Sequence, residues 1–216
     1  MQPIHTLLFD LDDTLVDTTL TIMRRIDLLI KKYHLSYSER SNIHDLLPNP
    51  NRVYLLSQSY TFARELFEDY EALRASIPVN PFADIRGIFG RLRAQGLQTG
   101  VLTNNSYLSS KSKLSRCGIT EQDLCGLFFH SDNLPCLTPN SRCFDILPDS
   151  LERKGIAYVG DSIYDYEPAC KAGLEFIAVT TGATSRAEFQ AAGLPNENIL
   201  GNIAGIENAL FRRENE

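Results

Sequence analysis

Three apolar runs in this 216-residue sequence each end in side chains that could take part in catalysis. These side chains are Asp10, Asp12 and Asp13 after the first run, Thr103 and Asn104 at the end of the second, and Asp161 after the third. Asp165 lies one helical turn beyond Asp161. In an open parallel sheet, ligands bind at the carboxyl ends of the strands, so residues placed there are candidates for one shared site.

Several carboxylates at one edge of a sheet would raise each other's pKa unless a cation neutralises them. Mg²⁺ suits an open site that is rich in oxygen ligands, and it also accepts a phosphate oxygen. The acidic residues at the strand ends therefore predict a magnesium site that takes a phosphate-bearing ligand.

The elements that must position these residues alternate between strands and helices. Residues 4–9, 98–103, 127–130, 156–159 and 176–179 are short apolar runs of the kind that forms buried strands. Strands that are apolar almost throughout, with helices between them, indicate a mostly parallel sheet covered on both faces. The predicted fold class is α/β with a Rossmann-like core.

A helical block interrupts this alternation directly after the first strand. Ile22, Ile26 and Leu29 recur at helical spacing, and further helices are expected over residues 38–47 and 52–74. We therefore predict a helical cap domain at 16–81, inserted into a core formed by residues 1–15 and 82–216.

Composition and charge restrict the classes of partner. The chain has 27 acidic and 21 basic residues, a formal net charge of −6 and an isoelectric point near 5.3. This balance argues against nucleic acid or an anionic membrane as the main partner. No apolar run approaches the ~18 residues of a membrane span, and no export signal precedes Asp10. The five cysteines are scattered and expected to be reduced thiols, which predicts a cytoplasmic protein. We also expect a monomer or homodimer.

The three strand ends carry a recognisable pattern. The segments FDLDDTL (9–15), VLTNN (101–105) and GDSIYD (160–165) resemble, in order, the first, second and fourth motifs of the haloacid dehalogenase superfamily. The helical insertion after the first motif is similar to the small cap of the subfamily that contains phosphoglycolate phosphatases and β-phosphoglucomutases. The resemblance covers nearly the whole chain.

This resemblance implies catalytic roles for two aspartates and two phosphate-binding residues. Asp10 would be the nucleophile that attacks phosphorus and becomes an aspartyl phosphate. Asp12 would protonate the leaving alcohol and later deprotonate the attacking water. Thr103 and the backbone amide of Asn104 would bind the phosphoryl group during transfer.

The resemblance also implies the ligands of Mg²⁺. Asp161 would hold the ion together with the carboxylate of Asp10 and the backbone carbonyl of Asp12. Asp165 would be a partial or indirect ligand, although an aspartate at that position can also simply cap a helix.

The third motif departs from the family pattern. It normally supplies a lysine or arginine, but the corresponding stretch TPNSRCF (138–144) has Thr138 where the lysine is expected. Loss of this cation would remove charge stabilisation from the phosphoryl oxygens. Arg142 is the favoured replacement, because it lies four residues beyond Thr138, in a helix expected around residues 141–147. Lys111 is a second candidate; the remaining alternative is that no residue replaces the lysine.

The leading functional hypothesis is a Mg²⁺-dependent phosphatase that acts on a small phosphorylated metabolite. The cap is expected to close over the substrate, with Arg24, Arg25 or Arg52 contributing to specificity. A phosphomutase uses the same residues and stays open as an alternative. A weakly active or inactive relative that binds a phosphorylated ligand or a protein partner also stays open, because Thr138 favours it.

Overall fold

The computed structural model describes residues 3–34 and 63–214 of the chain. By its internal contacts the chain separates into two units, Met1–Asp17 with Asn80–Glu216, and Thr18–Val79. That residues 16–81 form a cap domain stays a prediction about domain organisation.

The larger unit is built on a six-stranded, entirely parallel sheet with the strand order β3-β2-β1-β4-β5-β6. The strands are β1 Thr6–Phe9, β2 Gln98–Leu102, β3 Phe128–Phe129, β4 Ile156–Gly160, β5 Glu175–Val179 and β6 Ile199–Leu200. All residues of β1 and β4 are buried, because these central strands are covered on both faces. The predicted α/β fold with a parallel, Rossmann-like sheet is confirmed.

Helices are present in both units. The smaller unit has α1 Thr18–Tyr33 and α2 Ala63–Ser76, and the larger unit has α3 Ile85–Ala94, α4 Tyr107–Arg116, α5 Ile163–Lys171, α6 Arg186–Ala191 and α7 Ile206–Glu214. Short 3₁₀ segments include Glu121–Leu124 and Ser141–Ile146. Within the described part of the chain, none of the helices has the length and apolar character needed to cross a membrane.

The register of the central strands aligns their ends. Phe9 at the end of β1 lies opposite Val101 on one side and Val159 on the other. The residues that follow these positions therefore emerge at the same edge of the sheet. This edge carries the acidic residues singled out in the sequence.

One predicted α-helix, around residues 141–147, is instead the 3₁₀ segment Ser141–Ile146. The side chain of Asn140 accepts a hydrogen bond from the backbone N–H of Arg142 and begins the segment. Leu147 ends it in an extended conformation, which the following Pro148 favours. These two features limit the segment to six residues.

The smaller unit contains a local core between α1 and α2. Ile26 and Leu29 of α1 pack with Leu66 and Tyr70 of α2, in agreement with the helical spacing of the apolar residues. The guanidinium of Arg25 is buried and donates two hydrogen bonds to the carbonyl of Ile77, at 2.9 and 2.7 Å. Arg25 therefore has a structural contact within this unit rather than a free guanidinium for substrate.

Two sequence-based expectations for this unit concern other residues. The helix expected over 38–47 and the N-terminal part of the one expected over 52–74, with Arg52, lie outside the described residues. The C-terminal part of the second helix is present as α2.

Candidate active site

A cavity of about 560 Å³ lies at the carboxyl edge of the parallel sheet. It brings together all of the predicted site residues except Arg142, namely Asp10, Asp12, Thr103, Asn104, Asp161 and Asp165. Each of these residues follows β1, β2 or β4, the three neighbouring strands at the centre of the sheet. Sequence position and strand order together therefore create the site.

Three carboxylates converge on one side of this cavity. Asp10, Asp161 and Asp165 each present an oxygen atom within 4.8 Å of the others. Thr14 donates a hydrogen bond to Asp161 Oδ1 at 3.2 Å. Asp165 accepts hydrogen bonds from the backbone N–H and the hydroxyl of Ser162, at 3.2 and 2.6 Å, and so caps α5 while it faces the cavity.

The electrostatics of this carboxylate cluster are unfavourable in the absence of a cation. Burial and the carboxylates of Asp165, Asp12 and Asp161 raise the pKa of Asp10 well above its usual range. Burial, followed by the charges of Asp165 and Asp13, raises the pKa of Asp161 to about 7. Burial also raises the pKa of Asp165, although its hydrogen bonds with Ser162 oppose the shift.

A divalent cation fits this donor set. The three side chains offer only oxygen atoms, which are the ligands that Mg²⁺ prefers. The pKa values of Asp10 and Asp161 are raised because these carboxylates are buried and lie close to other negative charges. A bound cation would offset this concentration of negative charge. The chemistry of the residues present is therefore consistent with the predicted metal.

We expect the metal-free protein to lose stability as the pH rises from about 4 to about 7. In this range folded Asp161, with a pKa of about 7, retains a proton that the unfolded residue, with a pKa of 3.8, has released. The unfolded state therefore binds fewer protons, and the free energy of unfolding falls with increasing pH. Thermal unfolding in EDTA across this range should show a falling midpoint for the wild type and a flatter profile for Asp161→Asn.

Asp149→Asn removes an exposed carboxylate and is a matched control, because it should keep the wild-type slope. Equal slopes for wild type and Asp161→Asn would contradict the assigned electrostatics of the cluster.

Asp12 has a different environment from the other three carboxylates. Asn105 Nδ2 donates to Asp12 Oδ2 at 2.5 Å and to Thr103 Oγ1 at 2.9 Å. Lys113 Nζ donates to Asp12 Oδ1 and, at 3.2 Å, to Asn105 Oδ1. Each carboxylate oxygen of Asp12 thus has its own partner from the segment that follows β2.

The sequence motifs did not identify Lys113 or the side chain of Asn105 as parts of the site. The available signal is that Asn105, Ser109 and Lys113 are spaced by four residues and so lie on one face of α4 and its N-terminal extension. Lysine side chains on a helix extend toward its N-terminus, where Asn105 and the sheet edge lie.

The structure does not bring Arg142 into the site, which corrects the expectation that it replaces the third-motif lysine. Its side chain is 77% exposed, and its guanidinium Nε lies 3.6 Å from Asp145 Oδ2. The neighbouring residues Cys143 and Phe144 are buried in the core, so the short 3₁₀ segment turns Arg142 to the surface.

Lys111, the second candidate, is not among the residues that line the cavity with Asp10. Its side chain is 59% exposed and contacts the hydroxyl of Tyr107 at 2.9 Å and the carboxylate of Glu121 at 3.4 Å. Lys111 therefore does not replace the missing lysine either.

Thr138 itself lines the cavity and is tied to the second motif. Asn104 Oδ1 accepts from the backbone N–H of Thr138 at 3.0 Å, and Asn104 Nδ2 donates to the Thr138 hydroxyl at 2.7 Å. The amide side chain of Asn104 thus holds the third-motif loop beside the site. Its backbone amide remains the group expected to bind phosphate.

Comparison with protein families agrees with the motifs and their geometry. A family model described as haloacid dehalogenase-like hydrolase matches residues 7–179, which include all of the predicted site residues. The chain belongs to the haloacid dehalogenase-like hydrolase family. The resemblance stated from the three motifs is confirmed, as is the prediction that the protein is a hydrolase.

Individual members of the haloacid dehalogenase-like hydrolases are similar over most of their length. A phosphoglycolate phosphatase of Rhodobacter capsulatus is 26% identical over 187 residues, which cover 82% of this chain and 84% of that protein. A Caldanaerobacter subterraneus protein assigned as a pyrophosphatase is 25% identical over 197 residues, covering 82% of this chain and 81% of the other. The structure of a Thermotoga maritima protein assigned as a β-phosphoglucomutase aligns with a TM-score of 0.76 at 14% identity, covering 97% of this chain and 99% of that one. This last similarity shows the fold.

Proposed function

We propose that the protein is a Mg²⁺-dependent phosphatase that hydrolyses a small phosphomonoester through an aspartyl phosphate on Asp10. The observation that carries the proposal is the position of Asp10 at the end of β1, in one cavity with Asp12, Thr103 and the Asp161–Asp165 pair. Nucleophile, proton donor, phosphate-binding hydroxyl and metal ligands are thereby within reach of a single phosphoryl group.

In the first half of the proposed reaction, a carboxylate oxygen of Asp10 forms a bond to phosphorus. The bond between phosphorus and the leaving oxygen breaks, and Asp12 transfers a proton to that oxygen so that an alcohol departs. Thr103 and the backbone amide of Asn104 hold the phosphoryl oxygens. The product of this half-reaction is an acyl phosphate on Asp10.

In the second half, Asp12 removes a proton from a water molecule whose oxygen attacks the same phosphorus. The bond between phosphorus and the Asp10 oxygen breaks, which releases inorganic phosphate and restores the carboxylate. Asp12 is protonated again and ready for the next substrate. Its hydrogen bonds with Asn105 and Lys113 give it a defined position for both proton transfers.

The carboxylates of Asp10, Asp161 and Asp165, with the backbone carbonyl of Asp12, are the groups proposed to hold Mg²⁺. When bound, the ion would neutralise the clustered carboxylates and withdraw electron density from the phosphoryl group. Without it, the same carboxylates would repel an incoming phosphate monoester.

Gly182→Ala should weaken Mg²⁺ binding, because a Cβ at this position would lie 1.7 Å from Asp161 Oδ2 and displace the carboxylate. We expect the Mg²⁺ concentration that gives half-maximal stabilisation against heat to rise on the order of 10-fold. Gly201→Ala is a matched control, since a Cβ there would meet no atom within 4 Å. The same Mg²⁺ requirement in both variants would argue against Asp161 as a ligand.

The relatives suggest where to begin the substrate search. The similarity to a phosphoglycolate phosphatase supports a small phosphorylated carboxylic acid as substrate, and the pyrophosphatase-like relative adds pyrophosphate. A phosphate-release screen over 2-phosphoglycolate, sugar phosphates, nucleoside monophosphates and pyrophosphate, with Mg²⁺ and with EDTA, tests the proposal. Release of phosphate from at least one ester in a Mg²⁺-dependent way is the expected result; none from any compound would contradict it.

A relative that binds ligands without turnover is the second candidate, because Thr138 stands where a lysine is expected and neither Arg142 nor Lys111 reaches the site. This candidate predicts saturable binding of phosphorylated compounds without phosphate release. A phosphomutase predicts transfer of the phosphoryl group within a sugar phosphate instead. The cytoplasmic location and the monomeric or homodimeric state remain predictions.

A further inference from the structure

Lys113 has two properties that distinguish it from the other two basic residues considered for the site. Its ammonium group contacts Asp12, a residue that lines the cavity, whereas Arg142 and Lys111 pair with Asp145 and Glu121. Its side chain is only 15% exposed, whereas those of Arg142 and Lys111 are 77% and 59% exposed. Like Lys111, it comes from α4, which follows the second motif, and not from the third-motif segment.

We propose that Lys113 is the positioning residue of Asp12, and that it brings a positive charge to Asp12 in a site whose third motif carries Thr138 in place of lysine. The inference deepens the proposed phosphatase function and rests on it. Lys113 acts through Asp12, because Asp12 and Asn105 line the cavity and the lysine stands behind them.

The geometry explains how Lys113 would fix Asp12. The ammonium group donates to Asp12 Oδ1 and to Asn105 Oδ1, while the amide of Asn105 donates to Asp12 Oδ2. The three side chains therefore form a closed ring of hydrogen bonds in which each carboxylate oxygen has a separate donor. A carboxylate held at both oxygens has little freedom to rotate, which keeps it aligned with the leaving oxygen.

Charge balance supports the same assignment. Five aspartates, at positions 10, 12, 13, 161 and 165, line the cavity, and a phosphomonoester brings further negative charge. Lys113 offsets the charge of Asp12 and leaves the clustered carboxylates of Asp10, Asp161 and Asp165 to the metal. Asp12 is 31% exposed, so this ion pair is partly screened, and its main consequence is orientation more than stability.

The test compares four variants: Lys113→Met, Lys113→Arg, Asp12→Asn and the double variant Asp12→Asn/Lys113→Met. Lys113→Met keeps the length of the side chain but removes its charge. Lys111→Met is the matched control on the same helix, because its ammonium contacts only Tyr107 and Glu121 among the bonds described. Each variant is assayed with an alkyl phosphate ester, whose alcohol needs a proton to depart, and with p-nitrophenyl phosphate, whose leaving group does not.

A positioning role predicts that Lys113→Met lowers kcat for the alkyl ester on the order of 10²-fold, as expected for a misplaced general acid. The loss with p-nitrophenyl phosphate should be much smaller, and the double variant should be no worse than Asp12→Asn alone. Lys113→Arg should recover part of the activity, and Lys111→Met should match the wild type. A lysine with a purely structural role would not distinguish the two leaving groups.

The proposal would be overturned if Lys113→Met lowered kcat equally with both esters and if this loss added to the loss from Asp12→Asn. Such a result would show that Lys113 acts directly on the phosphoryl group. An unchanged kcat in Lys113→Met would also overturn it. Should Lys113→Met fail to fold, Asn105→Ala tests the same ring from its other member and carries the same predictions.

Failure of the proposed function is distinguishable from failure of this inference. Wild-type protein without activity toward any ester would refute the phosphatase proposal. The thermal midpoints of the four proteins in the Asp12–Lys113 cycle would still measure the coupling of the pair. Additive midpoint shifts would then refute the contact itself, and non-additive shifts would support it.

Discussion

Asp10→Asn should abolish phosphate release, with kcat falling on the order of 10⁵-fold, as in other enzymes that lose a covalent nucleophile. Asparagine keeps the shape of the side chain but has no carboxylate oxygen to attack phosphorus. The variant should nevertheless be at least as stable as the wild type. Asp10 is crowded by the carboxylates of Asp165, Asp12 and Asp161, which raise its pKa, so removal of its charge relieves repulsion.

This combination of lost activity and retained stability separates a catalytic role from a structural one. Steady-state phosphate release and thermal unfolding, measured on the same preparations, provide the two readouts. Asp149→Asn makes the same chemical change at an exposed position and should leave both unchanged. Wild-type turnover by purified Asp10→Asn protein, free of contaminating phosphatase, would refute nucleophilic catalysis by Asp10.

Removal of divalent cations should have the second-largest effect and reduce phosphate release to background. Asp10, Asp161 and Asp165 offer oxygen atoms within 4.8 Å of one another. Without a cation, these carboxylates would repel the negative charge of a phosphate monoester. Activity measured after exhaustive EDTA treatment and dialysis should return when Mg²⁺ is added. The same treatment should also lower the thermal midpoint more at pH 8 than at pH 5, because the carboxylates are ionised at the higher pH.

Full activity after chelation would contradict the assignment of these three carboxylates as a metal site. Activity that is lost and not restored by Mg²⁺, in protein shown to remain folded, would indicate a different cation.

Much of the fold was predictable because short-range sequence signals determine it. The strands β1 and β4 are apolar at every position except Thr6, and such runs are buried in the centre of a parallel sheet. Asp10 and Asp161 end these runs, so once the strands are neighbours their side chains must meet at one edge. Position along the chain was therefore sufficient to place the carboxylate cluster.

The cation of the site could not be placed by the same reasoning. Arg142 was favoured because it lies four residues beyond Thr138, but this distance assumed an α-helix where the chain forms a 3₁₀ segment. Lys113 lies 101 residues from its partner Asp12 in the sequence. Their contact depends on the orientation of α4 against the end of β1, which no local pattern specifies.

The division of labour between the aspartates also depends on tertiary contacts. Asp12 and Asp10 are two residues apart, yet Asp12 pairs with Asn105 and Lys113 while Asp10 faces Asp161 and Asp165. Residues two apart in an extended segment lie on the same side of the chain, so their different neighbours come from the surrounding elements: the segment after β2 for Asp12 and the segment after β4 for Asp10. Which neighbours each would meet required the structure.

In the proposed reaction, the phosphoryl group is transferred to Asp10 during turnover. Rapid quenching of the enzyme with substrate and Mg²⁺, reduction by borohydride and peptide mass spectrometry test it most directly, because borohydride converts an aspartyl phosphate into homoserine. We expect homoserine at position 10 in the wild type, only when substrate is present, and none in Asp10→Asn. Active enzyme that releases phosphate but yields homoserine at another position, or at none under conditions that trap a known acyl phosphate, would contradict it.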